Sequence, residues 1–172
     1  MEQTEFNAHR VLMLGPKNHA IQVLRSVLVI VGAGKIVHIE DLPAALDLLT
    51  MEHFHAVFCV LDDEAQSEFV IAARRRSAML NPTIPIFMLQ SHAKRRQIEK
   101  ARDSGVTDFL TTPVSPKTVA AKLRVAMKNP RPFIVAQEFF GPDRRAKSRP
   151  AYLGNDRRKK APRKMRFDLT HL

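Results

Sequence analysis

The chain has 172 residues, a length that allows one globular domain followed by an extension. It carries 28 Lys and Arg against 17 Asp and Glu, and this formal charge of +11 favours an acidic partner: a nucleotide, a nucleic acid, an anionic membrane surface or an acidic protein face. A single cysteine excludes a disulfide within the chain, and no apolar run approaches the roughly 20 residues that cross a bilayer. We therefore expect a cytoplasmic protein with no membrane span.

Short apolar runs alternate along the chain with segments whose apolar residues recur at helical spacing. The runs predict five strands, at residues 10–14, 35–39, 56–61, 84–89 and 107–111. The periodic segments predict five helices, at residues 19–31, 43–51, 67–80, 93–103 and 117–128. Gly32 is predicted to end the first helix, whereas Pro43 and Ser115-Pro116 are predicted to begin the second and the fifth.

The predicted strands are apolar along most of their length, which is typical of strands buried on both faces. Strands and helices in alternation predict an α/β fold, with a doubly wound parallel sheet of five strands and helices on each side. Functional groups in such sheets lie at the carboxyl ends of the strands. The loops that deserve inspection are therefore those at Gly15, Asp62, Gln90 and Thr112.

The last quarter of the chain has a different composition. Residues 130–172 carry twelve Lys and Arg but only four Asp and Glu, and they show no periodic apolar face. The sequence Gly141-Pro142-Asp143-Arg144-Arg145-Ala146-Lys147 returns as residues 154–160, with the shared pattern G-x-D-R-R-x-K. We predict a globular domain over residues 1–129 and a basic, Arg-rich tail over 130–172 that is extended or partly disordered, with apolar anchors at 133–135 and 139–140.

The alternation of five strands and five helices over about 120 residues resembles the receiver domain of bacterial response regulators. Residues 105–113, which run Gly-Val-Thr-Asp-Phe-Leu-Thr-Thr-Pro, are similar to the end of that family, and the likeness covers roughly residues 8–129. The resemblance implies the flavodoxin-like receiver fold. It also implies a phosphorylation site built from an acidic pair after the first strand, an Asp after the third, a Ser or Thr after the fourth and a Lys-Pro after the fifth.

The positions that match this phosphorylation site hold other residues. The acidic pair is replaced by Gly15-Pro16, the phosphoacceptor by Val60, the Ser or Thr by Gln90 and the Lys by Thr112. Phosphoryl transfer needs carboxylates that hold Mg²⁺ and one that attacks phosphorus. The sequence therefore predicts a pseudo-receiver with no metal or other cofactor.

An alternative remains for phosphorylation, because three acidic residues follow the third predicted strand. A register slip of two residues would put Asp62 at the acceptor position, and Asp63 lies beside it. The slip restores none of the other missing groups. We therefore interpret residues 62–64 as a solvated loop.

The tail resembles Arg-rich extensions of receiver-like proteins that respond to cyclic di-GMP. A guanidinium group can fork onto phosphate or onto the O6 and N7 atoms of guanine, and two D-R-R copies could serve the two halves of such a ligand. Asp143 and Asp156 could accept hydrogen bonds from guanine or could orient the adjacent arginines. The predicted nucleotide-binding residues are Asp143, Arg144, Arg145, Arg149, Asp156, Arg157 and Arg158.

The function that these patterns favour is a non-enzymatic signalling adaptor of the response-regulator class, with a cyclic dinucleotide as ligand. The resemblance implies a surface for a protein partner, such as a kinase or a motor component, on the fourth helix, fifth strand and fifth helix. Its candidates are Lys94, Arg95, Arg96 and Phe109, although a basic run such as this one or residues 74–76 is more often an exposed helix face. Two alternatives stay open: non-specific binding of nucleic acid by the tail, and a protein-interaction module with no nucleotide ligand.

Overall fold

A computed structural model describes residues 5–75, 78–91, 95–136, 139–143 and 163–165, and for residues 95–97 and 163–165 it describes the backbone alone. Five strands and five helices alternate through the first 128 residues. The strands are β1 (Arg10–Leu14), β2 (Lys35–Ile39), β3 (Ala56–Cys59), β4 (Ile86–Gln90) and β5 (Asp108–Thr111). The helices are α1 (His19–Val31), α2 (Leu42–Met51), α3 (Asp63–Arg75), α4 (Arg95–Ser104) and α5 (Pro116–Lys128).

The five strands form one parallel sheet in the order β2-β1-β3-β4-β5, which confirms the predicted doubly wound fold. The register pairs Leu14 with both Ile39 and Cys59, so the carboxyl ends of β1, β2 and β3 lie level. Each face of the sheet carries its own apolar core. One core packs under α1 and α5 and the other packs under α2 and α3.

Local capping explains where several helices begin and end. Asn18 Oδ1 accepts a hydrogen bond of 3.0 Å from the amide of Ile21 and so caps α1, while Gly32 ends that helix with a φ of 87° that favours glycine. Ser115 caps α5, and Pro116 occupies its first turn, as the sequence predicts.

The third helix differs from its prediction, because it begins at Asp63 rather than at residue 67. Asp62 Oδ1 accepts hydrogen bonds from the amides of Glu64 and Ala65 at 3.1 and 2.9 Å, which is the geometry of an N-cap. Carboxylates in a first helical turn also interact favourably with the helix dipole. The prediction of a loop is therefore wrong for Asp63 and Glu64, which lie in α3, although Asp62 and Glu64 are exposed to solvent as predicted.

Part of the tail is paired into a second, antiparallel sheet. Its strands are β6 (Phe133–Val135), β7 (Phe140–Pro142) and β8 (Arg163–Met165), in the order β7-β6-β8. Phe133 is only 6% exposed, and its ring lies 5.3 Å from that of Phe140. The tail therefore holds regular structure next to the first domain, at the residues predicted to act as apolar anchors.

Arg74 joins this small sheet to the domain. The sequence favours an exposed helix face for the run at residues 74–76, but Arg74 is only 4% exposed. Its guanidinium donates to the carbonyl oxygens of Pro82 at 2.8 Å and Gly105 at 3.2 Å, and it lies 5.1 Å from the centre of the Phe133 ring. Burial lowers the pKa of Arg74 to about 9, so the group stays charged at neutral pH.

Two glycines allow the tail to approach the domain closely. A Cβ on Gly141 would lie 2.8 Å from the Cα of Gly105, and a Cβ on Gly105 would lie 2.9 Å from the carbonyl oxygen of Phe140. Gly105 precedes β5 and Pro82 precedes β4, so the contact is made at the amino ends of these strands. The described part of the tail therefore docks at the end of the sheet opposite the predicted site.

A histidine pair lies at the same amino end, beside β1 and β3. The rings of His9 and His55 are 4.7 Å apart, and the amide of Arg10 donates to His55 Nδ1 at 3.0 Å. Arg10 also forms an ion pair with Glu52. Burial lowers the pKa of His55 below its usual 6.5, and the charges of His9 and Arg10 act in the same direction.

Folding stability is expected to fall as the pH drops below about 6.5, because unfolded chains then bind a proton that His55 resists in the folded state. Urea unfolding at pH 7.5 and pH 5.5 measures the effect. His55→Gln should flatten this dependence, whereas His53→Gln, at an exposed position, should retain it. An equally steep dependence in His55→Gln would assign the acid sensitivity to other groups.

Candidate functional site

The carboxyl ends of the strands form an open cleft of about 580 Å³. Four of the five positions predicted from the receiver resemblance line it, namely Pro16, Val60, Gln90 and Thr112. The fifth, Gly15, packs against the Val60 carbonyl oxygen and is not one of the lining residues. The structure thus brings the predicted positions to one place, as a parallel sheet requires.

Gly15 is held in a conformation and a space that suit glycine alone. Its φ is +149°, and a Cβ at this position would lie 2.3 Å from the carbonyl oxygen of Val60. Its own carbonyl oxygen lies 2.8 Å from His38 Nε2. A carboxylate therefore cannot occupy the first position of the acidic pair without movement of the backbone between β1 and β3.

Gln90 ties the end of β4 to the start of α3. Its Nε2 donates a hydrogen bond of 2.9 Å to Asp63 Oδ1, and Gln66 Nε2 donates one of 3.1 Å to the carbonyl oxygen of Leu89. Gln90 is 7% exposed and Gln66 is fully buried. Asp63 is consequently a hydrogen-bonded structural group, a role that the sequence reasoning missed. The position of Asp62 and Asp63 just before an amphipathic segment is the sequence signal that indicates such a role at the start of a helix.

Two carboxylates, Asp62 and Asp63, line the cleft, but Asp62 caps α3 and Asp63 accepts a hydrogen bond from Gln90. At the positions that match the receiver phosphorylation site, the chemistry does not fit phosphoryl transfer. Pro16 and Val60 have no side-chain oxygen for a divalent cation, and the hydroxyl of Thr112 carries no positive charge to pair with a phosphoryl group. Within the described ranges, no group of three or more His, Cys, Asp or Glu is placed to hold a metal ion. The residues present therefore do not fit the Mg²⁺ site that the receiver fold implies.

Most of the predicted nucleotide-binding residues fall outside the described part of the chain. These are Arg144, Arg145, Arg149, Asp156, Arg157 and Arg158. Asp143 is described: it is 6% exposed, and its amide donates a hydrogen bond of 2.7 Å to the carbonyl oxygen of Pro132. This burial leaves little of Asp143 accessible for contact with a guanine.

The predicted partner surface is described only in part. Phe109 is partly buried and packs against the core under α2 and α3. Arg95 and Arg96 lie in the first turn of α4, but their side chains are outside the described set, as is the whole of Lys94. Sequence reasoning did not identify Arg102 or Arg131, two arginines that lie near the docked tail.

No helix in the described residues is both long enough and apolar enough to cross a membrane. Cys59 is buried, and burial raises the pKa of its thiol far above the usual range. It therefore packs as a small apolar group.

No protein-family model and no curated protein sequence matches this chain. Solved receiver domains match its fold. A response regulator from Chloroflexus aurantiacus is 19% identical and superimposes with a TM-score of 0.60 over 67% of this chain and 94% of that one. The receiver domain of a Pseudomonas aeruginosa sensor histidine kinase, with magnesium in its active-site cleft, is 19% identical with a TM-score of 0.56 over the same shares.

A chemotaxis response regulator from Vibrio cholerae is 23% identical, with a TM-score of 0.56 over 67% of this chain and 96% of that one. The shared part corresponds to the five-stranded domain, and identities this low establish the fold alone. The chain therefore has the receiver fold of response regulators, followed by a basic tail.

Proposed function

We propose that this protein is a non-enzymatic signalling adaptor of the response-regulator class that works without phosphorylation. The observation that carries the proposal is the packing of Gly15 against the Val60 carbonyl oxygen, which leaves no room for an acid. In the same cleft Val60 supplies no carboxylate at the acceptor position and Thr112 supplies no cation at the lysine position. The carboxylates of Asp62 and Asp63 are hydrogen-bonded at the start of α3. The receiver fold then serves as a scaffold, and its α4–β5–α5 surface is where a protein partner would dock.

The ligand that we propose for the tail is cyclic di-GMP. The support comes from the sequence, in which two G-x-D-R-R-x-K copies offer adjacent guanidinium pairs to a ligand with two phosphates and two guanines. The structure adds one constraint, because Asp143, the residue before Arg144 in the sequence, is buried and its amide is hydrogen-bonded to the Pro132 carbonyl oxygen. The ligand would therefore be held next to the receiver domain.

Calorimetry of the full chain with cyclic di-GMP tests this proposal. We expect binding at tens of micromolar ligand, and Arg145→Gln combined with Arg158→Gln should weaken it at least about tenfold, since a hydrogen bond to a charged group contributes roughly 1.5–3 kcal/mol. Arg25→Gln with Lys117→Gln removes the same charge from exposed sites on α1 and α5 and should change little.

Three results would count against the proposal. Absence of heat from the wild-type chain would exclude this ligand and leave the protein-interaction alternative. Tighter binding of DNA with a steep salt dependence would favour the nucleic-acid alternative, because neutralised phosphates release counterions. Incorporation of phosphate from acetyl phosphate and Mg²⁺ would overturn the claim that signalling is independent of phosphorylation.

A further inference from the structure

A second cleft lies where the tail meets the edge of the sheet. It measures about 90 Å³, and Arg102 from α4 and Arg131 from the start of the tail line it together with Phe109 and Pro142. Both arginines are exposed. The cleft therefore has two guanidinium groups, one supplied by the domain and one by the tail.

The acidic groups near this cleft already have partners. Asp108 also lines it, but its Oδ2 accepts from Lys122 Nζ at 2.6 Å and its Oδ1 from the amide of Phe109 at 2.8 Å. Glu99 and Asp103, the acids on α4, also interact with other groups. Arg102 and Arg131 form no ion pair within the described residues. No acidic side chain among the described residues therefore neutralises the positive charge of Arg102 and Arg131.

The first tail motif starts at this same cleft. Pro142 lines it, the buried Asp143 follows, and the chain continues into Arg144 and Arg145. Consecutive Cα atoms are about 3.8 Å apart, so the D-R-R sequence begins within a few ångströms of the lining. A volume of about 90 Å³ admits several water-sized groups, which is enough for a phosphate.

We propose that this cleft is a phosphate-binding site formed jointly by the receiver domain and the tail, with Arg102 and Arg131 as its cationic residues. Two planar guanidinium groups can match the tetrahedral oxygens of a phosphate, each through paired N–H donors. The site would hold one phosphate of the nucleotide that the first motif binds. The identity of that nucleotide rests on the proposed function. The phosphate site itself is inferred independently of it.

Titration of the ¹⁵N-labelled full chain with pyrophosphate tests the site directly. We expect the backbone amides of Val106, Thr107 and Phe109 to shift with a saturable profile. Arg102→Gln with Arg131→Gln should weaken this binding at least about tenfold, by loss of two charge-assisted contacts. The matched double variant at Arg25 and Lys117 should bind like the wild type. Unchanged shifts in the cleft variant, or shifts spread evenly over exposed basic residues, would overturn the inference.

Cyclic di-GMP calorimetry on the same cleft variant separates the two proposals. Equal affinity of the wild type and the cleft variant for cyclic di-GMP would overturn the claim that the cleft holds a phosphate of this nucleotide and would leave the tail as the nucleotide site. Cleft-dependent pyrophosphate shifts without any cyclic di-GMP binding would support the phosphate site and reject the proposed messenger. Loss of both ligands in the cleft variant is the result that we expect.

Discussion

Arg74→Ala is expected to lower the free energy of unfolding by about 3 kcal/mol, because buried carbonyl oxygens would lose charge-assisted hydrogen bonds worth roughly 1.5–3 kcal/mol each. The guanidinium donates to Pro82 and Gly105 and contacts the Phe133 ring, so the substitution removes contacts in the domain and in the tail together. For a chain of this size the change corresponds to a loss of about 6–12 °C in Tm. Thermal unfolding followed by circular dichroism measures it.

Two matched variants test whether the effect is specific to the buried guanidinium group of Arg74. Arg75→Ala lies one residue further along α3 at an exposed position and should cost under about 1 kcal/mol. Arg74→Lys keeps the charge, but its side chain cannot reach both carbonyl oxygens. The Tm of this variant should therefore lie between those of the wild type and Arg74→Ala. Hydrogen exchange at the amides of β6 should accelerate in Arg74→Ala. Equal Tm values for Arg74→Ala and Arg75→Ala would show that Arg74 does not hold the tail.

The five-stranded domain could be predicted because its strands are apolar runs bounded by glycine, proline or polar residues. Such runs have few alternatives to burial on both faces of a parallel sheet. The start of α3 could not be predicted from the charges of Asp62 and Asp63, because acidic residues are common both in loops and at the starts of helices. The hydrogen bonds of Asp62 to the amides of Glu64 and Ala65 decide between the two.

The position of the cleft could also be predicted, because the carboxyl ends of neighbouring parallel strands must meet. The docking of the tail on the domain could not be predicted from the sequence. A triple-arginine run has no periodicity that distinguishes a buried Arg74 from its exposed neighbour Arg75. Its burial depends on the close contact between Gly105 and Gly141. These glycines are 36 residues apart in the sequence, so the sequence alone does not indicate that they pack against each other. The composite cleft with Arg102 depends on the same contact.

Gly15→Asp, which restores the first acid of the family pattern, is expected to destabilise the protein by about 3 kcal/mol or more, through backbone strain and the collision of its Cβ with the Val60 carbonyl oxygen. The Cβ would have to move away from an oxygen at 2.3 Å, in a conformation with φ of +149°. Gly15→Ala should cost nearly as much, because the collision involves the Cβ and not the charge. Urea unfolding of both variants measures the loss.

Pro16→Asp provides the contrast, since this neighbour is exposed in the cleft and should change stability by under about 1 kcal/mol. Pro16→Asp combined with Val60→Asp then adds carboxylates at the second acidic position and at the acceptor position, next to Asp62 and Asp63, which line the same cleft. We expect acetyl phosphate with Mg²⁺ to label this double variant no more than the wild type, because the first acid and the lysine are still missing. Labelling of the double variant, or a Gly15→Asp protein as stable as Pro16→Asp, would show that the Gly15 packing does not bar phosphorylation. A stable Gly15→Asp would further mean that the β1 and β3 ends can separate to admit a side chain.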